Sequence, residues 1–346
     1  MADVLIPHAK LTQFAAQCLE KLGVSKPDAA VVAETLVASN LRGVDSHGVV
    51  RLPHYANRLR NGTVKARPNI TVKRTGAATA VVEGDAGLGQ LIGVKAMNEA
   101  IALAKEAGIG AVGGRNSSHC GALAWFVEMA TREGMVGIAM THSDPIMVPP
   151  GMKKKFIGSN PLAFGAPGQN EPPIVVDMAT THVALGKVIV AQQEKKSIPT
   201  DWGVDDQGLA TTDPNKVVGL ASAGGPKGYA LAIMIEIFCA HLLGHPFGTH
   251  MVRMYQDLDK PRNLGLYMIA VDISKFTDLK TFRGQIDLLI RETHQQDAVD
   301  PTRPPLVPGE PERRTLEKRL QGGVPIGEGV CADLNKLAAE LGIAGL

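Results

Sequence analysis

The sequence predicts a mixed α/β fold in which a sheet is layered with helices. Segments of strand character and segments of helical periodicity alternate over residues 79–140, an order typical of layered α/β proteins. The chain has 346 residues and a hydrophobic share of 45%, so it can bury a large core. Because single cores stop growing near ~250–300 residues, this length predicts two or three lobes.

The first half of the chain carries clear start and stop signals. Ser25 begins a helix whose apolar residues keep helical spacing until Gly43. The segments that follow are predicted to be a strand over residues 79–82, a helix ended by Gly108, a strand over residues 109–112, a loop with His119, a helix ended by Gly134 and a strand over residues 135–140.

The second half of the chain alternates in the same way. Its predicted elements are an apolar strand over residues 172–177, a helix that begins at the Gly-Gly-Pro turn of residues 224–226 and ends at Gly244, a strand over residues 266–271, an extended proline-rich stretch over residues 297–312 and a last helix with Leu334, Leu337 and Leu341 on one face.

Charge and cysteine content argue against several classes of function. The formal net charge is only +2, so neither a nucleic-acid-binding nor a membrane-surface protein is expected, and the lysine run at residues 153–155 is interpreted as a solvated loop. The four cysteines are scattered without a CxxC pair, which argues against a disulfide framework or a thiolate metal site. We find no leader pattern and no run judged able to span a bilayer, so the cytoplasm is the expected location.

Two short turns place together residue types that suit proton transfer from an alcohol. The motif RGVDSHG puts Ser46 and His47 at the end of a predicted helix, with Arg51 close behind, and the motif SSHCG repeats the Ser-His pair with His119. An imidazole can accept a hydroxyl proton, and a guanidinium can hold a carboxylate. A histidine beside glycine is often only a loop residue, but two such turns in one chain favour a site.

Other motifs are less decisive. The segment GLGQLIG at residues 87–93 lacks the spacing of the Rossmann fingerprint, and no acid follows where the ribose would need one. His241 and His245 stand at a helix end without a carboxylate to complete a metal site. Asp177 could cap a helix or bind ribose hydroxyls, and Lys227 could be a surface residue or bind a pyrophosphate. As a pair they match the needs of a dinucleotide.

These residues resemble one family, the type 2 malate/L-lactate dehydrogenases, which bind NAD(P) on a fold distinct from the Rossmann domain. The resemblance spans nearly the whole chain. It is carried by the motifs RGVDSHG (42–48), SHCG (118–121), GSNPLA (158–163), VDMATT (176–181), TTDP (211–214) and GPKGY (225–229). It implies a non-Rossmann cofactor domain over residues 76–272 and a mainly helical lobe formed by residues 1–75 and 273–346.

Within this family the chain is most similar to the ureidoglycolate dehydrogenase branch. The segments that carry this similarity are SDPIMVP (143–149), PFG (246–248), MYQDL (254–258) and RNLG (262–265). The resemblance implies oxidation of (S)-ureidoglycolate to oxalurate by NAD in allantoin breakdown, with NADP not excluded, by a homodimer or larger homo-oligomer. The alternatives are a malate, L-lactate or diketogulonate-type enzyme and, more remotely, a non-catalytic nucleotide-binding protein.

The resemblance also assigns roles to individual residues. His119 is the acid/base candidate and His47 its partner, although His47 takes the acid/base role in the related diketogulonate reductases. The positions that resemble substrate contacts are Ser46, Arg51, Tyr55 and Arg262. The positions that resemble cofactor contacts are Ser143, Asp177, Met178, Ala179, Lys227, Pro308, Gly309 and Glu310, and no metal site is implied.

A mechanism is expected from these roles. Arg51 would hold the substrate carboxylate through paired hydrogen bonds. A neutral histidine would accept the hydroxyl proton as hydride leaves the carbinol carbon, a contribution of ~10²–10⁴-fold in rate. Because the base must be unprotonated, the oxidative kcat/KM should rise with pH through an apparent pKa of ~6.5 unless burial or a neighbouring charge moves it.

Overall fold

The computed structural model describes residues 3–346, which form ten α-helices and thirteen β-strands. The helices are α1 His8–Lys21, α2 Lys26–Leu41, α3 Leu52–Arg60, α4 Gly89–Ala107, α5 Ala124–Arg132, α6 Leu185–Glu194, α7 Pro226–Cys239, α8 Leu279–His294, α9 Glu310–Gly322 and α10 Glu328–Leu341. The strands are β1 Val4–Ile6, β2 Thr71–Arg74, β3 Thr79–Glu83, β4 Ile109–Ser117, β5 Met135–Thr141, β6 Pro145–Met147, β7 Ile157–Gly158, β8 Leu162–Ala166, β9 Ile174–Met178, β10 Gly203–Val204, β11 Gly219–Leu220, β12 Leu264–Asp272 and β13 Val324–Ile326.

Seven strands form the central sheet, in the order β2-β3-β4-β12-β5-β8-β9. In this sheet β3 and β4 run parallel, and every other neighbouring pair is antiparallel. A Rossmann sheet is mostly parallel, with helical crossovers between its strands. The topology therefore confirms the predicted mixed α/β fold and its difference from the Rossmann domain.

Helices cover both faces of this sheet. Along β12, Leu266, Met268 and Ala270 pack with residues of α4 and α5, while the alternate residues Tyr267 and Ile269 pack with α7. Successive side chains of a strand point to opposite faces, so this alternation places one helical layer on each side. A smaller sheet has the order β10-β11-β6-β7, and its strands β6 and β7 pack with α7.

A second hydrophobic core combines both ends of the chain. Helices α1 and α3 pack with α10, α2 packs with α1 and α9, and β1 pairs with β13. Its large buried side chains include Leu11, Phe14, Leu19, Leu36, Leu59, Leu334 and Leu337. The lobe boundaries at residues 75 and 273 stay predictions. Two elements outside residues 76–272 contact the central sheet: β2 pairs with β3, and Asp287 of α8 accepts hydrogen bonds from the backbone after β8 at residues 169–171.

Two glycines set how α4 lies between these cores. Gly108 ends the helix with a φ of 86°, in the left-handed region that favours glycine. At the other end, a Cβ added to Gly89 would lie 2.3 Å from the carbonyl oxygen of Ser118. The absence of a side chain at Gly89 therefore lets α4 begin directly against the loop that carries His119.

The structure corrects two expectations about the second half of the chain. The stretch over residues 297–312 is extended only in part, because α9 begins at Glu310 with Pro311 in its first turn, where proline is tolerated. The segment Pro226–Leu243 is long and apolar enough to cross a membrane by length and composition, contrary to expectation, although core helices pass the same test. Its α-helix, α7, has 14 residues, or ~21 Å, and packs on the sheet.

Candidate active site

His119 lies in the loop between β4 and α5. Ser118 anchors this loop, because its hydroxyl donates to Gly87 O at 2.9 Å and accepts from Gly89 N at 3.0 Å. The His119 ring stacks on the ring of His47, with the two centroids 5.4 Å apart. The two histidines predicted from separate motifs therefore face each other in one place.

The Nδ1 atom of His119 is engaged by the protein. Tyr55 Oη lies 2.7 Å from it, and the backbone N–H of Gly121 donates to it at 3.3 Å. Because Gln90 Nε2 donates to Tyr55 Oη at 3.0 Å, the Tyr55 hydroxyl can give its own proton to Nδ1. A neutral His119 with two donors aimed at Nδ1 carries its proton on Nε2. Nε2 is therefore the ring atom left for a substrate.

Burial keeps the histidines of this site neutral. Desolvation, followed by nearby cationic and titratable groups led by Arg51, lowers the pKa of His119 well below its ordinary value. Desolvation and Arg51 lower the pKa of His47 to about 4. The pKa of His54 also falls to about 4, through desolvation and three neighbouring arginines. At neutral pH these rings can accept a proton.

Arg262 is a buried guanidinium with unused donors. The residue is 5% exposed, and its Nη2 group donates to the Asp144 carboxylate. Among residues 3–346, its Nε and Nη1 groups have no hydrogen-bond partner. Arg262, His119, Tyr55 and His54 line one narrow pocket. Because buried N–H groups without an acceptor are costly, the two free donors indicate a place for an anionic ligand group.

Arg51 lies close enough to His119 and His47 to lower the pKa of both. Its Nε group donates to Ser46 O at 2.6 Å, and its Nη1 group donates to the hydroxyl of Tyr255. Ser46 Oγ in turn lies 2.9 Å from His47 Nδ1. Tyr255 is 64% exposed. The guanidinium that was predicted to hold a carboxylate is therefore already partly used by the protein.

Arg58 holds the segment of residues 253–260 over the pocket. Its side chain is 2% exposed and donates to four backbone carbonyls of that segment. Its Nε group also donates to His54 Nε2 at 3.2 Å. The segment carries Tyr255 and precedes Arg262, so Arg58 positions both, and Arg58 itself also lines the pocket.

Ser143 belongs to a second polar cluster, at the end of β5. Its backbone N–H donates to Oδ1 of the fully buried Asn160 at 3.0 Å, and its hydroxyl lies 3.2 Å from that of Ser159. The Ser159 carbonyl accepts from both the N–H and the hydroxyl of Thr180 at 2.9 Å. These bonds place Ser143 beside residues 177–179, which were predicted to bind the same cofactor.

Asp177 reaches from β9 to the N-terminus of α5. Its Oδ2 atom accepts from Ala124 N–H at 2.8 Å, so the loop from His119 to Ala124 connects the two clusters. Desolvation raises the pKa of Asp177 to about 6, against the opposing effects of Ala124 N–H and Arg42. The residue nevertheless meets solvent. The helix-capping and ligand-binding interpretations of Asp177 are therefore compatible.

The N-terminus of α7 lies beside the end of β9. A Cβ added to Gly228 would lie 2.7 Å from Thr180 O, which shows how closely the two elements approach. The preceding glycines 224–225 both have a φ of 61° and open space around them, and Lys227 is exposed. A helix N-terminus with a lysine suits a pyrophosphate, and the Asp177 carboxylate suits ribose hydroxyls. The residues present here fit a dinucleotide.

The third predicted cofactor segment, residues 308–310, lies against β9. Pro308 O accepts from Val175 N at 3.2 Å. Glu310 is only 4% exposed. Its carboxylate accepts hydrogen bonds from Val307 N, His294 Nε2 and Arg314 Nη2. This engagement argues for a structural role of the Glu310 side chain, and the cofactor contacts of Pro308 and Gly309 stay predictions.

Several residues of the site were not found from the sequence. They are His54, Arg58, Gln90, Asp144, Asn160 and Tyr255. Asp144, Asn160 and Tyr255 stand inside motifs that supported the family resemblance, and that was an available signal. Arg58 stood in no motif, and the GLGQLIG segment around Gln90 was examined only for phosphate binding. The partners of both residues lie far away along the chain.

The comparisons with known proteins agree with this geometry. The family model described as malate/L-lactate dehydrogenase matches residues 6–335. The chain belongs to this family. It is 36% identical to a malate dehydrogenase of Pyrococcus horikoshii, over 99% of this chain and 97% of that protein. It is 40% identical to the ureidoglycolate dehydrogenase (NAD(+)) of Escherichia coli K12, over 83% of this chain and 82% of that protein.

A solved structure extends the likeness to the whole fold. The sulfolactate dehydrogenase of Methanocaldococcus jannaschii superposes with a TM-score of 0.93 at 34% identity, over 98% of each chain. The predicted family membership is therefore confirmed, and the protein is a dehydrogenase of the malate/L-lactate dehydrogenase family that acts on a hydroxy acid.

Proposed function

We propose that this family member interconverts a 2-hydroxy acid and its 2-oxo acid, with NAD as the cofactor, His119 as the acid/base and Arg262 as the carboxylate ligand. The observation that carries the proposal is the pairing of a neutral, buried imidazole with a buried guanidinium that has two free donors. Both line one pocket. NADP stays an alternative, and the cytoplasmic location and the homodimer stay predictions.

Each group of the site has one task in this reaction. Arg262 would hold the carboxylate of the substrate through Nε and Nη1, while Asp144 fixes its orientation. His119 would exchange a proton with the substrate oxygen through Nε2, with His47 beside it. Ser143, Asp177 and Lys227 would hold the dinucleotide. When bound, the cofactor supplies the hydride acceptor.

The pocket favours a substrate with a second anionic group. Its polar lining is rich in donors, because His54 Nε2 already accepts from Arg58 and a neutral His54 then carries its proton on Nδ1. Within residues 3–346, Arg51 Nη2 makes no hydrogen bond and can face a second carboxylate or a sulfonate. Malate-type and sulfolactate-type acids present such groups. The ureido group of (S)-ureidoglycolate offers one neutral carbonyl acceptor, and its N–H groups would need acceptors of their own.

(S)-Ureidoglycolate stays the second candidate. Its support is the 40% identity to a relative of that name and the matching segments SDPIMVP and MYQDL. Those segments contain Asp144 and Tyr255, which contact the two arginines of the site. Substrate choice between the candidates therefore depends on which polar atoms meet Arg51 and Tyr255.

A substrate panel tests the proposal. Absorbance at 340 nm would be followed with NAD and with NADP for malate, L-lactate, sulfolactate and (S)-ureidoglycolate. We expect kcat/KM for a dianionic acid to exceed that for L-lactate by at least ~10-fold, because one added charged hydrogen bond stabilises the bound substrate by about 1.5 kcal/mol or more. The highest kcat/KM with ureidoglycolate would support the second candidate. Turnover of none of the four acids would overturn the proposed reaction.

A further inference from the structure

Gln90 has a polar atom that the resting site does not use. The residue is fully buried at the beginning of α4. Its Nε2 group donates to Tyr55 Oη at 3.0 Å, while its Oε1 atom is buried without a partner among the described residues. An unpaired buried amide oxygen has a cost. A buried leucine or methionine would fill similar space without that cost.

The resting hydrogen bonds do not suit His119 as a base. With Tyr55 and Gly121 N–H donating to Nδ1, the neutral ring carries its proton on Nε2. To accept a hydroxyl proton at Nε2, the ring must carry its own proton on Nδ1. That N–H then needs Tyr55 Oη as its acceptor. The Tyr55 proton must in turn find another acceptor.

We propose that Gln90 is a positioning residue that supplies this acceptor. A rotation of about 180° around the Cγ–Cδ bond of Gln90 places Oε1 instead of Nε2 opposite the Tyr55 hydroxyl. Tyr55 O–H then donates to Gln90 Oε1, His119 Nδ1–H donates to Tyr55 Oη, and the lone pair of Nε2 faces the substrate. When Nε2 takes the substrate proton, the imidazolium keeps the same bonds. This inference rests on the proposed acid/base role of His119.

The groups around Tyr55 leave the Gln90 amide as the neutral hydrogen-bond acceptor for the Tyr55 hydroxyl. The charged and titratable groups that face His119 and Tyr55 are Arg51, His47, His54, Arg262, Cys120 and Tyr255. None of them is a carboxylic acid, and burial raises the pKa of the Tyr55 hydroxyl above its ordinary value. Tyr55 therefore keeps its proton and must direct it to a neutral acceptor.

A double-mutant cycle tests the relay. Gln90→Met removes both amide atoms at similar volume, and we expect kcat to fall by about 10- to 100-fold because the Tyr55 proton loses its acceptor. KM should change much less. In a Tyr55→Phe background the same substitution should cost less than about 2-fold, because Gln90 acts through the missing hydroxyl. Gln192→Met, which removes a part-buried amide on α6, is the matched control and should leave kcat unchanged.

The Gln90→Glu variant provides a second test, in which the position of the acid limb of the pH profile is measured as well as the rate. A carboxylate opposite Tyr55 strengthens the arrangement in which His119 Nδ1 is protonated. The acid limb of the pH profile should therefore move to higher pH, and Tyr55→Phe should reduce that shift. An equal loss from Gln90→Met in both Tyr55 backgrounds, or an unmoved acid limb in Gln90→Glu, would overturn the relay. An inactive wild-type enzyme would instead count against the proposed function.

Discussion

His119 lies where burial and nearby cationic groups act in the same direction on its titration. Desolvation lowers its pKa well below the ordinary histidine value, and Arg51 and Arg262 lower it further. A carboxylate near a histidine would raise the pKa instead, but Asp144, which contacts the pocket residues Arg262 and Met254, is bound to both of them. His119 therefore stays neutral in slightly acidic solution.

The pH profile of oxidation follows from the lowered pKa of His119. The base is needed unprotonated, so oxidative kcat/KM should be constant from about pH 6.5 upward and fall only as the pH drops through the lowered pKa. The expected limb thus lies below the ~6.5 of an unperturbed histidine. Initial rates between pH 4 and pH 9 measure it. His119→Gln should lose the limb and ~10²–10⁴-fold in rate, while near-normal turnover would promote His47.

Arg262 offers a second test at the same scale. Arg262→Lys keeps a positive charge for Asp144 but loses the planar fork, so KM for the hydroxy acid should rise by about 10- to 100-fold. Arg253→Lys, on an exposed position of the same loop, is the control. An unchanged KM in Arg262→Lys, with a raised KM in Arg51→Lys, would show that Arg51 and not Arg262 binds the substrate carboxylate.

The candidate site was predictable from sequence as far as local motifs reach. His47 and His119 stand in short glycine-flanked turns, so their chemistry can be read from neighbours in the chain. Arg58 stands in no such turn, and the GLGQLIG segment that contains Gln90 was examined only as a dinucleotide fingerprint. Gln90 acts on a residue of α3, and Arg58 binds carbonyls about two hundred positions away. Contacts of this kind depend on the packing of elements and are absent from any local pattern.

At the scale of elements, α3 and the segment of residues 253–260 behave as one unit. Arg58 satisfies four carbonyls of that segment, and a lysine ammonium cannot reach them all from one position. Arg58→Lys should lower the free energy of unfolding by about 3 kcal/mol and raise KM through the displaced Arg262. Limited trypsin digestion should cut faster after Arg253, which is exposed.

A matched control separates this effect from a general effect of an arginine-to-lysine substitution on α3. Arg60 lies on the same helix and pairs with Glu340 at 2.8 Å, with both side chains more than a third exposed. Exposed pairs contribute at most about 1 kcal/mol, so Arg60→Lys should leave both trypsin cleavage and KM unchanged. If Arg58→Lys digests at the wild-type rate with an unchanged KM, the anchoring role is wrong.

A helix could be predicted from the sequence where a capping residue or a glycine marks its beginning or its end. The helices α2, α4, α5 and α7 were found because Ser25, Gly108, Gly134 and the 224–226 turn mark their ends. The start of α9 was missed because proline was interpreted as an extended signal, although it sits at a first-turn position. The strand order could not be derived, since β12 pairs between β4 and β5 from far along the chain.

At the scale of the whole molecule, the buried histidines couple stability to pH. Five histidines have pKa values lowered by burial: His47, His54, His119, His142 and His245. His142, whose pKa falls to about 3, accepts a hydrogen bond from Gly265 N at 2.8 Å. Each of these rings is neutral in the fold and takes a proton near pH ~6.5 once the chain unfolds.

The free energy of unfolding should therefore be complete above about pH 6.5 and decrease as the pH falls below it, because the unfolded chain then binds more protons. The three most deeply buried rings, His47, His119 and His142, give a limiting slope of ~4 kcal/mol per pH unit, at ~1.4 kcal/mol for each proton, and the partly exposed His54 and His245 add less because solvent screens them. Urea unfolding between pH 4.5 and pH 8 measures this slope. His142→Gln, which keeps an acceptor for Gly265 N, should reduce it by about one proton, whereas His250→Gln at an exposed position should not. A stability that stays constant from pH 6.5 to pH 5 would show that these rings titrate alike in both states.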